Sequence, residues 1–363
     1  MSTARSARAP FPGVLLCMLS LVMAIGPVVG STVPTRFAMI GDFGVDNADE
    51  LAVANMVRTN FQPDFVVSAG DNNYIGATRI DDAIGKYYHE FIGNYAGRFG
   101  SSASSNRFFP ALGNHDWDNS TGFATHTNYF TLPGNERYYD FVRGPVHIFI
   151  LNSDPHEPNG NTATSVQAQW FSNRIATSTS PWRIVICQDP PYSSTESLEW
   201  MRWPFEKWGA SIVVSGDSHN YERIKNGKLT YVVNGAGGAG LAGFGSTIAG
   251  SAVRYEGHGA MLVTATDTNI IYEFWSSTAG GARIDRFIDQ MPPPVAVART
   301  AVQQLLLSWP TNGTEACVLE SAKVMTSPAY WLTVTQTAVV IGAARTITLA
   351  TTGQSVRFFR LRR

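Results

Sequence analysis

A series of side chains in this sequence stands just beyond short apolar runs, and their types are those that hold cations or move protons. They are Asp42, Asp71, Tyr74, Asn114, His115, Gln188, Asp217 and His219. A hydrolase built on two cations needs a carboxylate able to bridge them. Each cation needs a few more ligands and an open position for water and substrate. Hydrolysis then follows, because a bound metal lowers the pKa of water to about 7. Taken singly, each residue has an ordinary explanation. Asp after a strand commonly caps a turn or helix. Gly113-Asn114-His115-Asp116 could be a turn, since Asn tolerates left-handed backbone. Tyr74 alone is a half-buried aromatic. Asp42-Phe43-Gly44 spells a kinase motif but has no kinase companions. His89, His126, His147, His156 and His258 stand alone and are assigned no role. The segment Asn234 to Gly240 is glycine-rich but lacks the Lys-Ser/Thr ending of a phosphate loop, and reads as a tight loop below the site.

The elements that must position these residues are legible as runs that stop abruptly. Arg36 to Ile40 stops at Gly41-Asp42, Phe65 to Ala69 at Gly70-Asp71, and Phe108 to Leu112 at Gly113-Asn114. Val146 to Leu151 stops at Asn152-Ser153-Asp154, Ile184 to Cys187 at Gln188-Asp189, and Ser211 to Val214 just before Gly216-Asp217. Short runs rich in Val, Ile and Phe read as buried strands. Helical stretches are expected at Asn47 to Asn60, with Leu51, Ala54, Met56 and Val57 inward, at Asp81 to Tyr95, and at Ser165 to Ile175. Strand–helix alternation indicates an α/β domain with much parallel pairing, whose ligands gather beyond the carboxyl ends of the strands.

Composition sets the frame. Hydrophobic residues make up 44% of the 363 and charged ones 15%, which suffices for a packed core and excludes general disorder. The net charge of −1 carries no basic stripe, which argues against nucleic-acid binding. Residues 1–30 read as a signal peptide: Arg5 and Arg8 precede an apolar stretch from Val14 to Ile25, with cleavage expected after Gly30. That stretch is shorter than the ~20 residues of a membrane span, so no stable membrane insertion is expected. Cys187 and Cys317 are expected to remain unbridged, because they fall in different domains. The main domain is placed at 31–290 and a stiff Pro-rich linker at 291–297. Residues 298–363 alternate apolar residues with Thr and Ser, as a small all-β sandwich does. This C-terminal module is a candidate for docking to a surface or partner.

The combination of motifs is more specific than any one. Asp42-x-Gly44, Gly70-Asp71-x-x-Tyr74, Gly113-Asn114-His115-Asp116 and Gly216-x-x-His219-Asn220-Tyr221-Glu222-Arg223 occur in one order, each after an expected strand. Together they resemble the purple acid phosphatase branch of the calcineurin-like metallophosphoesterases, over about Phe37 to Gly240. The resemblance implies an αββα sandwich, four layers thick, and a binuclear metal centre. It implies Fe held by Asp42, Asp71, Tyr74 and His219, with Asp71 bridging and Asn114 on the second metal (Mn, Mg, Zn or Fe). His115 is then the group that orients phosphate or protonates the leaving alkoxide. The implied function is secreted (periplasmic or extracellular) hydrolysis of small phosphate monoesters by metal-activated water; a phosphodiesterase is the neighbouring alternative.

The sequence also departs from the family. Two histidines expected on the second metal are Gln188 and Asp217, and a substrate-side His after Tyr192 is absent, with Glu196 nearby. Two readings follow. Either the second site is an all-oxygen shell of Asp71, Asn114, Gln188 and Asp217, or the chain is a catalytically weakened metal-binding scaffold.

Overall fold

A computed structural model of the chain describes residues 33–118, 123–278, 281–301, 303–312, 314–323, 330–350 and 357–362. The expected signal peptide lies outside the described residues. None of the described helices is long and apolar enough to cross a membrane. The strands in chain order are β1 (Thr35–Ile40), β2 (Phe65–Ser68), β3 (Phe108–Pro110), β4 (Tyr139–Arg143), β5 (Val146–Ile150), β6 (Trp182–Ile186), β7 (Ile212–Ser215), β8 (Tyr221–Asn226), β9 (Leu229–Asn234), β10 (Ser251–Tyr255), β11 (Gly259–Ala265), β12 (Asn269–Ser276) and β13 (Arg283–Gln290).

Two mixed sheets result. One runs β13-β12-β11-β1-β2-β3 and the other β10-β8-β9-β7-β6-β5-β4. The apolar runs read from the sequence supply the parallel part of each sheet, β1, β2 and β3 pairing in sequence order at one end of the first, and β5, β6 and β7 pairing in turn, with β9 beyond, in the middle of the second. The second sheet shows why such strands lack polar alternation. Ile148, Ile150, Ile184, Ile186, Ile212 and Val214 face a core shared with the first sheet. Their neighbours Phe149, Val185, Cys187 and Val213 face a separate core with Ala168, Phe171 and Ile175 of the helix Val166–Ala176. Both faces are covered, so both positions of the two-residue period are apolar. The first sheet is covered in the same way, by Val53, Ala54 and Val57 together with Ile84, Tyr87 and Tyr88. The layers therefore run helix, sheet, sheet, helix.

The helix Ala48–Asn55, followed by a wider turn at Met56–Phe61, buries Ala54, Met56 and Val57 as expected but not Leu51. Leu51 is exposed, and Glu50 is buried with Val53, Ala54 and Val57. Those four lie at helical spacing on one face. Glu50 occupies it because its carboxylate accepts from the N–H groups of Val45 and Asp46, while Asn47 Oδ1 caps the Glu50 N–H. Turning Glu50 inward turns Leu51 out.

Beyond β13, the strands Ala296–Ala301, Gln304–Pro310, Ala344–Ala350 and Val339–Ile341 form an antiparallel sheet. Val318–Ala322, Leu332–Thr333 and Phe358–Arg362 form another. Leu307, Trp309, Leu319, Ile347 and Leu361 make their small core. The first of these strands starts inside the expected linker, directly after the run Pro292 to Pro294, which has no N–H to give a ladder. Residues 31–363 form one compact unit. Cys187 and Cys317 are both free, the former buried.

Candidate metal centre

The carboxyl ends of β1, β2, β3, β6, β7 and β9 are stitched together by main-chain bonds. The Asp42 N–H donates to Gly70 O (3.1 Å), Gly216 N–H to Gln188 O (3.0 Å) and Ala239 N–H to Asp42 O (2.9 Å). Asn234 Nδ2, at the end of β9, donates to Met39 O of β1 at 3.0 Å and so joins the two sheets. These ties hold Asp42, Asp71, Asp217 and His219 in left-handed backbone, with φ of 54°, 50°, 67° and 44°. Non-glycine residues adopt that region at a cost of order 1–3 kcal/mol each, and such strain collects at functional sites.

The side chains so held converge. Ligand atoms of Asp42, Asp71 and His219 all lie within 4.8 Å of one another. The Tyr74 hydroxyl donates to Asp42 Oδ1 at 3.1 Å and lies 3.0 Å from His219 Nε2. His219 Nδ1 donates to the carbonyl of Gly240 at 2.7 Å, so Nε2 is the ring atom presented to the cluster. Asp42 and Asp71 are essentially out of contact with solvent.

The electrostatics of this cluster are those of a cation site. Burial, then the Asp42 and Asp116 carboxylates, hold Asp71 well above the usual carboxylate range. Burial with Asp42, Asp189 and Glu196 pushes Asp217 up to about 7. Burial, Asp42 and Asp71 raise the Tyr74 phenol. Burial opposes protonation of His219, yet the Asp42 carboxylate prevails and lifts it to about 9. Every base here attracts a positive charge, and a bound metal supplies it.

Two oxygens on the loops around the cluster have no hydrogen-bond donor. Gln188 Nε2 donates to Asp42 Oδ1 at 3.0 Å, while Gln188 Oε1 is buried and accepts from no described residue. Asn114 Oδ1, on the short helix Asn114–Asp118, is buried in the same condition. Buried acceptors left this way call for a water, a ligand or an ion. The residues present therefore fit a metal centre. Asp217 enters by its main chain: its N–H donates to both Asp42 oxygens, at 3.0 and 2.9 Å. Its carboxylate is not part of the 4.8 Å cluster. His115 packs its ring on Tyr74 (centroids 4.2 Å apart) and donates its main-chain N–H to Asp71 Oδ1 at 2.9 Å.

Sequence reading missed the supports. Asp116 accepts from Gly113 N–H (2.9 Å) and from Asn72 Nδ2 (2.8 Å), fixing the loops after β2 and β3 against each other. Its place in the Gly-Asn-His-Asp motif was the available signal. Asp189 accepts from Trp200 Nε1 at 2.9 Å beside the site. The glycine-rich loop is more than a floor, since its Gly240 carbonyl orients His219. Of the lone histidines, His147 bonds Asp140 and Ser178, and His258 reaches Ala239 O. None joins the cluster.

Glycines leave the cluster its room. A Cβ on Gly216 would sit 2.4 Å from Asp42 Oδ2 and 2.7 Å from Gln188 Oε1. Gly216→Ala is therefore expected to lower metal affinity about 10–100-fold. Gly243→Ala, where a Cβ meets nothing nearer than Glu256 at 3.6 Å, should leave it unchanged. Metal content after dialysis against graded chelator checks both.

The calcineurin-like phosphoesterase family matches residues 35–221, which includes Asp42, Asp71, Tyr74, Asn114, His115, Gln188, Asp217 and His219. Purple acid phosphatase 1 of Ipomoea batatas is 27% identical over 220 residues, covering 54% of this chain and 44% of that protein. Purple acid phosphatase 5 of Arabidopsis thaliana is 30% identical over 209 residues, covering 54% and 46%. The chain thus spans about half the length of the curated relatives it matches. Among solved structures, a purple acid phosphatase from yellow lupin (Lupinus luteus) seeds superposes with a TM-score of 0.59 at 20% identity, covering 71% of this chain and 54% of that one. An anchor protein of the Plasmodium inner membrane complex superposes with a TM-score of 0.56 at 18% identity, covering 72% and 90%. The chain belongs to the calcineurin-like phosphoesterase family, and its relatives there are purple acid phosphatases.

Proposed function

We propose that this chain is a secreted metal-dependent phosphatase that hydrolyses small phosphate monoesters. The observation that carries the reading is the buried Asp42–Asp71–Tyr74–His219 cluster, with two buried acceptor oxygens without donors, of Gln188 and Asn114, on the neighbouring loops. Asp42, Asp71, Tyr74 and His219 would hold the first metal, and its hard donors suit iron. Asp71 would be shared with a second metal beside Asn114 and Gln188. Bound metals supply an activated water near neutral pH and neutralise phosphate oxygens. The protein's own part is positioning. Asp116 locks the turn that carries Asn114 and His115. Gly240 fixes the His219 tautomer. His115, half-buried against Tyr74, would give a proton to the departing alkoxide.

The signal peptide expected at residues 1–30 supports export, and the C-terminal strands would dock to a surface or partner with no part in catalysis. The scaffold reading stands second, favoured by Gln188 and Asp217 where histidines are usual, and by the Plasmodium neighbour described as an anchor.

Hydrolysis of p-nitrophenyl phosphate by the mature chain, loaded with iron plus Mn²⁺, Mg²⁺ or Zn²⁺ in turn, tests the proposal. Metal-dependent turnover supports it, and none under any loading overturns it in favour of the scaffold. His115→Gln should lower kcat about 10²–10⁴-fold on an alkyl phosphate. The loss should be far smaller on the nitrophenyl ester, whose leaving group needs no proton.

A further inference from the structure

We propose that the second cation position of this chain is built for an exchangeable hard divalent ion of the Mg²⁺, Mn²⁺ or Ca²⁺ class, held by the carboxamide oxygens of Gln188 and Asn114 with Asp71. The inference rests on the phosphatase reading only for what the ion does, not for whether it binds. Gln188 is oriented by its neighbour. Asp42 Oδ1 accepts from the Tyr74 hydroxyl and the Asp217 N–H, and the Gln188 amide likewise presents its donor Nε2 to it, at 3.0 Å. A flip would set Oε1 against a carboxylate oxygen. Oε1 is thereby fixed on the opposite side, where a Cβ on Gly70 or Gly216 would meet it at 2.2 and 2.7 Å. Those two glycines precede Asp71 and Asp217, so the amide oxygen points between the ends of β2 and β7. Asn114 Oδ1 is its counterpart from the end of β3, equally buried and without a donor. Two side chains, one after β3 and one after β6, thus each carry a bare buried oxygen on the loops that hold Asp71.

The donor chemistry chooses the ion. Carboxamide and carboxylate oxygens suit Mg²⁺, Mn²⁺ and Ca²⁺, whereas tight Zn²⁺ sites draw on imidazole or thiolate. His219 is already committed to the first cluster. Neutral amides bind weakly by themselves. The outcome is a site that fills and empties with the ion concentration around it, beside one that keeps its metal. Phosphate turnover would then follow the supply of a hard cation.

The test is metal binding, read independently of turnover. The metal-stripped mature chain is loaded with one equivalent of iron and titrated with Mn²⁺, followed by electron paramagnetic resonance of free Mn²⁺, and separately with Zn²⁺ by calorimetry. The expected result is a second equivalent of Mn²⁺ that dialysis removes, displaced by Mg²⁺, with Zn²⁺ no tighter than Mn²⁺. Gln188→Leu should abolish this equivalent and leave the iron in place. Gln188→Glu should tighten Mn²⁺ about tenfold or more. Gln188→His should reverse the preference and make Zn²⁺ the tighter ion by at least tenfold. Circular dichroism of each variant confirms the fold, and Gln188→Glu keeps the proposal testable if Gln188→Leu does not fold. A second equivalent of Zn²⁺ that survives dialysis in the unmutated chain would overturn the inference. So would Mn²⁺ binding indifferent to Gln188→Leu. Mn²⁺ binding as expected without any phosphatase turnover would uphold this site and sink the enzymatic reading instead.

Discussion

Replacing Asp71 by alanine or asparagine is expected to cut phosphatase turnover by roughly 10³-fold or more. Transition-state charge stabilisation by metals contributes several kcal/mol, and about 4 kcal/mol corresponds to that factor. Asp71 has no substitute in the site. It is buried, it shares the cluster with Asp42 and His219, and its Oδ1 also accepts the His115 N–H at 2.9 Å. Asparagine preserves that bond and the shape, and removes only charge. The stability of the same variant should move oppositely in the two metal states. Without metal, Asp71 is a buried carboxylate crowded by Asp42 and Asp116. Removing its charge relieves that repulsion, so stripped Asp71→Asn should melt above the stripped wild type. With metal present the wild type gains the binding free energy and the variant does not, so the order reverses. Calorimetric melts with and without chelator check this crossing. A variant that melts below wild type in both states would mean that Asp71 is a structural hydrogen-bond acceptor rather than a cation ligand.

Much of this site was legible because buried parallel strands leave an unusual trace. Apolar at every position, they end where polar residues begin, so Gly41-Asp42, Gly70-Asp71 and Gly113-Asn114 announced the active edge of the sheets. What stayed hidden depended on main-chain partners that hydropathy does not register. Glu50 and Leu51 are adjacent, and hydropathy alone puts the leucine inside. Only the N–H groups of Val45 and Asp46, which the loop after β1 leaves to be satisfied, reverse the choice. The Gly240 carbonyl behind His219 has no side chain to betray it. Asp217 illustrates a subtler limit. Its position in the motif suggested a ligand, but its main-chain N–H is what reaches Asp42. The tie from Asn234 to Met39, which brings the two sheets' ends together, pairs residues of opposite ends of the domain and follows from no local pattern.

His126→Phe is expected to remove an acid-side loss of stability of about 2–3 kcal/mol between pH 6.5 and 4.5. His126 lies fully buried between Phe123 and Phe130, its Nε2 meets no hydrogen-bond partner among the described residues, and burial pushes its pKa from 6.5 down to about 3. Over that window the unfolded chain binds a proton that the native chain refuses. Stability from this group is therefore complete above pH 6.5 and drains away as pH falls towards 3. Glu50 acts with the opposite sign. Burial raises it from 4.5 to about 9, against the pull of the Asp46 and Val45 N–H groups, so the native chain keeps a proton that the unfolded chain releases. Its contribution is complete below pH 4.5 and is lost as pH rises towards 9. Between 4.5 and 6.5 the two slopes cancel, and these groups together give a plateau that falls on either side. His126→Phe should convert the plateau into a maximum at its acid end, whereas Glu50→Gln should do the reverse and extend stability to alkaline pH. Denaturant midpoints measured from pH 4 to pH 9 on the metal-loaded protein separate the two effects. An unchanged acid limb in His126→Phe would show that the ring is protonated in the folded chain, with an anionic or carbonyl partner that its surroundings do not supply.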